Sequence, residues 1–295
     1  MRHARTASPF YRDSYRHLPS DIEDVSELPA VDKPTLMSRF DDWVTDPDVT
    51  LADLRNNFLN RESCIGQLYL GRYLVATTSG TTGEPAVLLH DRLSWWVYNI
   101  MGRTRPQSIM GRIDLAALAR RGIRTAALFA TGGHFGGVTF IERIRQVSPF
   151  ISARTRIISV LRPVDELVAE LNEFQPTLLE GYPSVLVLLA AEQRAGRLRI
   201  DPVHIICAGE LFTAAMRESV TGTFGCAVTE GYAATEVPGL ALECTHGFLH
   251  VNSDWYILEP VDSDRRPVAP GVLSDSALVT NLSNRIQPII RYDLG

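Results

Sequence analysis

The middle of the chain alternates between short apolar runs and amphipathic stretches. Between residues 123 and 232, five strand-like runs rich in Ile, Leu, Val and Ala are separated by segments with helical spacing. In the segment 163–174, this spacing places Val164, Leu167 and Leu171 on one face of a helix. Ser184 and Thr213 are expected to cap the starts of the next two helices, and Gly225 is expected to end the second of them. Strands and helices that alternate at this length predict right-handed βαβ units and a parallel sheet covered by helices.

The two ends of the chain have different patterns. The first 65 residues are charged and interrupted by prolines, which predicts short helices rather than a long one. Residues 246–295 contain strand-like runs separated by turn signals, which predicts a small antiparallel sheet. We therefore expect an α/β protein with mixed or parallel sheets flanked by helices and a small antiparallel β-barrel-like subdomain. Its regions would be a helical lead-in (1–65), an α/β core (66–245) and a β-rich subdomain (246–295).

Composition excludes several classes of function. The chain has 295 residues, 45% of them hydrophobic and 21% charged, and its net charge of −5 offers no basic field for nucleic acid or an anionic membrane. The apolar run at 185–191 is too short to span a bilayer, and the N-terminus lacks the apolar core of a secretory signal. Four cysteines without a C-x-x-C pair are typical of a reduced, cytoplasmic protein. The oligomeric state stays open, a homodimer included.

A loop of hydroxyls and glycines at residues 77–86, TTSGTTGEPA, is a candidate phosphate-binding loop. Gly80 and Gly83 allow positive φ, so that successive backbone N–H groups can converge on an anion. The hydroxyl donors of the loop include Thr78, Ser79, Thr81 and Thr82. No Walker A string occurs in the chain, and a polar surface turn is the alternative interpretation.

Three strings in fixed order resemble the signatures of the adenylate-forming enzymes, the superfamily of acyl-CoA synthetases, luciferases and peptide-synthetase adenylation domains. They are TSGTTGEP at 78–85, GYAATE at 231–236 and PIIRYDLG at 288–295. ICAGELF at 206–212 and the segment 241–259 are most similar to the phenylacetate–CoA ligase-like branch. The resemblance implies ATP-dependent activation of a carboxylic acid to an acyl-adenylate, followed by thioester formation with coenzyme A. Loading onto a carrier protein is an alternative, and a non-catalytic nucleotide- or acyl-adenylate-binding module is another.

The resemblance also implies roles for individual residues. Thr235 would donate to the α-phosphate, and Glu236 would hold Mg²⁺, a cation that binds one or two carboxylates together with phosphate oxygens. The loop at residue 80 would bind the other phosphates of the same ATP. Nucleotide binding is assigned further to Ala208, Gly209, Glu210, Gly231 and Tyr232. The acid, which we expect to be aryl or small and cyclic, would lie among His134, Phe135, Gly136, Tyr182 and Ala233.

Two further expectations concern the end of the chain and a second metal. The superfamily has a small C-terminal domain after the RYDLG string, whereas these residues stop at Gly295. We therefore expect a truncated N-terminal substrate-binding domain that is poorly active alone. Cys244, His246 and His250 lie close in sequence and are an option for zinc, although C-x-H-x₃-H is not a standard structural-zinc spacing.

Overall fold

The computed structural model describes residues 1–20, 22–78, 80, 83, 85–105 and 113–295. Its helices are α1 (Arg2–Ala7), α2 (Pro9–Ser14), α3 (Lys33–Ser38), α4 (Phe40–Trp43), α5 (Leu51–Asp53), α6 (Arg92–Thr104), α7 (Leu115–Arg121), α8 (Gly136–Val147), α9 (Pro149–Ser152), α10 (Val164–Phe174), α11 (Pro183–Arg194) and α12 (Ala214–Phe224). Short 3₁₀ turns lie at Val25–Glu27 and Glu62–Cys64, and α5 continues as a π-helical turn over Leu54–Phe58.

The strands are β1 (Leu68–Tyr69), β2 (Tyr73–Thr77), β3 (Val87–His90), β4 (Thr125–Phe129), β5 (Thr155–Ser159), β6 (Leu178–Gly181), β7 (His204–Ala208), β8 (Ala227–Ala234), β9 (Val237–Glu243), β10 (Leu249–Val251), β11 (Tyr256–Val261), β12 (Ser276–Asn281) and β13 (Ile289–Asp293). They belong to two compact units, one formed by residues 1–98 with 251–295 and the other by residues 99–250. The division into three regions at residues 65 and 245 stays a prediction.

The unit of residues 99–250 is built on a seven-stranded sheet of order β5-β4-β6-β7-β8-β9-β10. The strands from β5 to β8 are parallel, and β9 runs antiparallel to β8. The predicted parallel α/β arrangement is therefore confirmed. This arrangement follows from the alternation of short apolar strands with amphipathic helices, because each helix carries the chain back to the end of the sheet where the next parallel strand begins.

One face of this sheet forms the main core with α10, α11 and α12. Leu179 of β6 and Ile205 of β7 are fully buried there, and so is Leu171 of α10. The predicted helical stripe is confirmed, because Leu167 and Leu171 both face this core. The C-cap residue of α10 is Gln175, whose φ of 52° places it in the left-handed region.

Two helix caps were predicted from sequence, with different outcomes. Thr213 caps α12 by accepting a hydrogen bond from the backbone N–H of Met216, and Gly225 ends that helix with φ of 63°. Ser184 was expected to cap α11, and this was wrong. The N-cap residue is Tyr182, and the helix begins at Pro183, two residues earlier than expected, because proline has no N–H to satisfy and its fixed φ suits the first helical position.

The unit of residues 1–98 and 251–295 contains two three-stranded antiparallel sheets, β1-β2-β3 and β11-β12-β13. Its N-terminal helices are anchored by two aromatic side chains. The Tyr11 hydroxyl and the Trp43 indole N–H both donate to the carbonyl oxygen of Pro288, at 3.0 and 2.6 Å. Both rings are almost fully buried, so they combine a large apolar contact with a satisfied polar end.

The strand β3 lies at the edge of its sheet, and two amide side chains satisfy its backbone. The Gln287 oxygen accepts from the N–H of Leu89 at 2.8 Å, and its nitrogen donates to the carbonyl of Val87 at 3.1 Å. Asn284 donates to the carbonyl of Leu89 at 2.7 Å. Both amides are buried, so these bonds replace those of a neighbouring strand.

In the part of the chain that the structure describes, the helices are too short or too polar to cross a lipid bilayer.

Candidate active site

The carboxyl ends of the parallel strands set the location of the candidate site. β4 ends at Phe129, β6 at Gly181 and β7 at Ala208, while β8 continues to Ala234. Parallel strands present these ends at one edge of the sheet, where ligands of α/β proteins commonly bind. The segments predicted to bind acid and nucleotide follow these strands, so they are collected along this edge.

Thr235 and Glu236 form the two-residue turn between β8 and β9, since Ala234 pairs with Val237. Thr235 is half-buried, and only 6% of Glu236 is exposed. The pairing register shifts between Tyr232 and Ala234, a bulge of the kind that redirects side chains next to functional sites. The aromatic ring preceding the bulge, that of Tyr232, is exposed on 43% of its surface.

The loop after β4 contacts this turn. Gly136 is the first residue of α8, and a Cβ atom added to it would lie 2.9 Å from Oγ1 and 3.3 Å from Cγ2 of Thr235. Only glycine leaves room for the threonine side chain at this distance. Phe135 precedes the helix as its N-cap residue, and His134 is buried with 2% of its surface exposed. The structure therefore brings the segment predicted to bind the acid against the residue predicted to contact the α-phosphate.

A second contact joins the loops after β6 and β7. The Tyr182 ring packs edge-on against Phe129, with ring centroids 5.4 Å apart. Gly209 has φ of +85°, and a Cβ added there would lie 3.0 Å from Cε1 of Tyr182. Glycine is required here both by the backbone conformation and by the ring. Burial raises the pKa of the Tyr182 hydroxyl, which is hydrogen-bonded to the backbone of Ala130.

Glu210 has a structural role that the sequence did not reveal. Its carboxylate accepts two hydrogen bonds of 3.0 Å from Ser184, one from the backbone N–H and one from the hydroxyl. Ser184 lies in the first turn of α11, where unpaired N–H groups favour a negative charge. The carboxylate thus fixes the β7–α12 loop to α11. The predicted role of Ala208, Gly209 and Glu210 in nucleotide binding stays a prediction.

A salt-bridge network braces the two strands that carry the Thr235–Glu236 turn. Arg217 of α12 donates to Glu243 of β9 at 2.9 Å and reaches Glu230 of β8 at 3.5 Å. The Glu243 carboxylate, which is almost fully buried, also accepts the backbone N–H of Glu230 at 2.7 Å. Burial raises the pKa of Glu230, and the adjacent Arg217 opposes that shift.

The glycine-rich loop belongs to the other compact unit and joins β2 to β3. The backbone N–H of Thr78 donates to the carbonyl of Ala86 at 3.1 Å, and its hydroxyl accepts from the N–H of Ala86 at 2.9 Å. Gly80 and Gly83 have φ of +71° and +137°, which confirms that both adopt positive φ. Ser79, Thr81 and Thr82 lie outside the described residues. That this loop and the turn at 235–236 bind one nucleotide stays a prediction.

The zinc option gains no support from the geometry and stays a prediction. Cys244 closes the tight turn between β9 and β10: its backbone N–H donates to Phe248, and its sulfur accepts from the N–H of His246 at 3.4 Å. His246 and His250 are exposed. Among the described residues, which include all three, no cluster of three or more His, Cys, Asp or Glu side chains is arranged to hold a metal.

Sequence reasoning missed one residue at this edge, Glu180 of β6. The available signal was a single glutamate within the otherwise apolar run TLLEGY. Its pairing partners are Ala127 of β4 and Ile206 of β7. Burial raises the pKa of this carboxyl to about 6. A desolvated carboxyl group near the ligand-binding edge of a sheet is a candidate functional residue.

Comparison with known proteins gives two kinds of similarity. No profile of a known protein family matches the chain. Over 232 residues the chain is 25% identical to a phenylacetate–coenzyme A ligase of Thermus thermophilus, a match that covers 75% of this chain and 48% of that protein. It is 26% identical to protein CapK of Staphylococcus aureus over 138 residues, covering 43% of this chain and 27% of CapK. The chain thus spans half or less of the length of the curated relatives it matches.

Solved structures show the same fold. A 2-hydroxyisobutyryl-CoA ligase, solved with 2-HIB-AMP and CoA, matches 100% of this chain and 61% of its own, with a TM-score of 0.69 and 19% identity. An anthranilate CoA ligase in complex with anthranoyl-AMP matches 71% of this chain and 39% of its own, with a TM-score of 0.50 and 17% identity. These matches confirm the predicted fold class.

Proposed function

We propose that the chain is a member of the adenylate-forming superfamily, in its phenylacetate–CoA ligase-like branch, and that it binds and activates a carboxylic acid as an acyl-adenylate. The observation that carries this proposal is the contact of Gly136 with Thr235. It brings the loop assigned to the acid within contact distance of the hydroxyl assigned to the α-phosphate. Adenylation requires this arrangement, since the acid must attack that phosphorus atom in line with the leaving pyrophosphate.

The residues at the sheet edge suit the parts of such a reaction. The hydroxyl of Thr235 is a donor for a phosphate oxygen, and the backbone N–H groups at the start of α8 favour an anionic carboxylate near Gly136. His134 and Phe135 precede that helix and, with Tyr182 and Ala233, would enclose the acyl group. The aromatic side chains of Phe135 and Tyr182 suit an aryl or small cyclic acid.

Adenylation by ATP uses Mg²⁺, and the turn at residues 235–236 offers one carboxylate for it. Glu236 is the residue that would hold Mg²⁺, since this cation binds one or two protein carboxylates and completes its coordination with phosphate oxygens and water. When bound, Mg²⁺ neutralises negative charge on the phosphates. The contribution of the protein at this sheet edge is to hold the acid against Thr235. Coenzyme A is the proposed acceptor of the acyl group, and a carrier protein is the alternative acceptor.

Detection of the acyl-adenylate tests the proposal directly. Protein expressed from the complete reading frame is incubated with ATP, Mg²⁺ and a panel of carboxylic acids, and acyl-AMP is measured by mass spectrometry. We expect Glu236→Gln to lower adenylate formation by about 100-fold, because a lost metal contact is worth several kcal/mol. Acid binding measured by calorimetry should change little. Glu218→Gln makes the same change of charge at an exposed position of α12 and is the matched control.

Two outcomes would contradict the proposal. The first is the absence of acyl-AMP from every acid when the protein is folded and binds ATP, which would leave only a nucleotide-binding module. The second is full adenylate formation by Glu236→Gln. Addition of coenzyme A or of a phosphopantetheinylated carrier protein to a reaction that has formed adenylate then identifies the acceptor.

A further inference from the structure

At the edge of the large sheet where the parallel strands end, the side chains on its two faces differ in burial. On the face toward α10, α11 and α12, Leu179, Ile205 and Cys207 are fully buried. Side chains of neighbouring residues in a strand point to opposite faces. The residues of β6 and β7 that point to the other face are half-buried, with the exception of His204, which is buried at the far end. These half-buried residues are Leu178, Glu180, Ile206 and Ala208.

The strip formed by these half-buried residues is apolar apart from Glu180. In the parallel register, Glu180 lies between Ala127 and Ile206, on strands about 4.8 Å away on either side. Phe129 lies two residues beyond Ala127 on the same face, and its ring contacts that of Tyr182. A single carboxylate is thus set among aromatic and aliphatic side chains, next to the loop that we assign to the acid.

No cation of the described chain compensates this carboxylate. Its raised pKa has burial as its cause, with no contribution from a neighbouring charge, and no described residue forms a hydrogen bond or ion pair with it. With a pKa of about 6, the group is largely ionised at neutral pH. A partly dehydrated carboxylate without a partner is costly, and such groups are retained where a ligand supplies the opposite charge.

We infer that Glu180 is the counter-ion for a cationic nitrogen on the acyl part of the substrate, so that the preferred acids carry a protonated amine. This inference rests on the proposed function and narrows its substrate class. The acid carboxylate lies toward the start of α8, the apolar body lies along the strip formed by Ile206 and Ala208, and the ammonium group reaches Glu180.

The test compares pairs of acids of equal shape and different charge. Binding of 3- and 4-(aminomethyl)benzoic acids is measured against 3- and 4-ethylbenzoic acids, and piperidinecarboxylic acids against cyclohexanecarboxylic acid, by calorimetry at neutral pH. The wild-type chain should prefer the amine in at least one pair by about tenfold or more, which corresponds to about 1.4 kcal/mol. Glu180→Gln should abolish that preference while binding of the uncharged acid is retained.

Two further variants serve as controls for the charge of Glu180 and for a general loss of negative charge. Glu180→Asp keeps the charge and should keep a weakened preference for the amine, which a purely structural role would not produce. Glu218→Gln makes the neutralising change at an exposed site and should leave the preference unchanged. Circular dichroism and urea unfolding verify that each variant is folded.

The results separate failure of this inference from failure of the proposed function. Equal or weaker binding of the amine in every pair, or a preference that persists in Glu180→Gln, overturns the inference and leaves acid activation intact. If acids of neither kind bind and no acyl-AMP forms, the proposed function and the inference both fall.

Discussion

Replacement of Gly136 by alanine would show whether the acid loop and the 235–236 turn are packed as closely as the structure indicates. The added Cβ would lie 2.9 Å from Oγ1 and 3.3 Å from Cγ2 of Thr235, closer than side-chain carbons normally approach. Gly136 does not have positive φ, so alanine meets no backbone strain there. The effect therefore isolates the contact with the threonine.

The expected magnitude is a difference of two terms. Overpacking a tightly packed site costs about 1–3 kcal/mol, and the replacement of glycine by alanine in a helix returns about 0.5–1 kcal/mol. Gly136→Ala should therefore destabilise the protein by about 0–2.5 kcal/mol, with a central value of about 1 kcal/mol. Gly222→Ala in α12 meets no atom within 4 Å and should stabilise by about 0.5–1 kcal/mol.

A double-mutant cycle followed by urea unfolding gives the coupling energy. In a Thr235→Ala background, Gly136→Ala should no longer destabilise, and the coupling between the two sites should be about 1–3 kcal/mol. The single Gly136→Ala variant should also form adenylate about 100-fold more slowly, because a displacement of about 1 Å costs this much when reacting groups are aligned. If Gly136→Ala is as stabilising as Gly222→Ala in the presence of Thr235, the close contact does not exist. The proposed position of the acid loop against Thr235 is then wrong.

Three further results are expected. Gly209→Ala should cost about 1–3 kcal/mol in urea unfolding, because it adds a Cβ against Tyr182 at positive φ; an unchanged midpoint would refute the ring contact. Arg217→Met should destabilise by about 1–3 kcal/mol, because it leaves the buried Glu243 without its cation, and Arg217→Lys should recover part of this loss. Burial lowers the pKa of His90 to about 4, so the unfolded chain binds more protons between about pH 6.5 and 4 and stability should fall as the pH is lowered through this window. His90→Gln should flatten that dependence, and an identical slope in both proteins would argue against it.

The fold was largely predictable because its signals are local. Apolar runs and a 3.6-residue period are sufficient to place α10 and the strands around it, and Thr213 and Gly225 mark the ends of α12 by their own side-chain chemistry. The start of α11 was misplaced by two residues, since its N-cap is Tyr182 rather than Ser184. The hydroxyl of Ser184 competes with Pro183 as a helix-start signal, and sequence alone does not rank the two.

The candidate site was predictable in its parts and not in its assembly. The contact between Gly136 and Thr235 depends on how α8 enters after β4 and on the bulge in β8, both of which are tertiary properties. The pairing of Glu210 with Ser184 has the same origin. Glu180 was missed because its desolvation comes from Ala127 and Ile206, and only the strand register makes these residues its neighbours.

The amide side chains that line the outer backbone of β3 have a consequence for self-association. An uncovered strand at the border of a sheet is a template on which another polypeptide can add. Gln287 and Asn284 occupy the hydrogen-bonding positions that such a polypeptide would need at Val87 and Leu89. The strand that leaves the glycine-rich loop is thereby kept from recruiting foreign chains, without a further strand being added to the sheet.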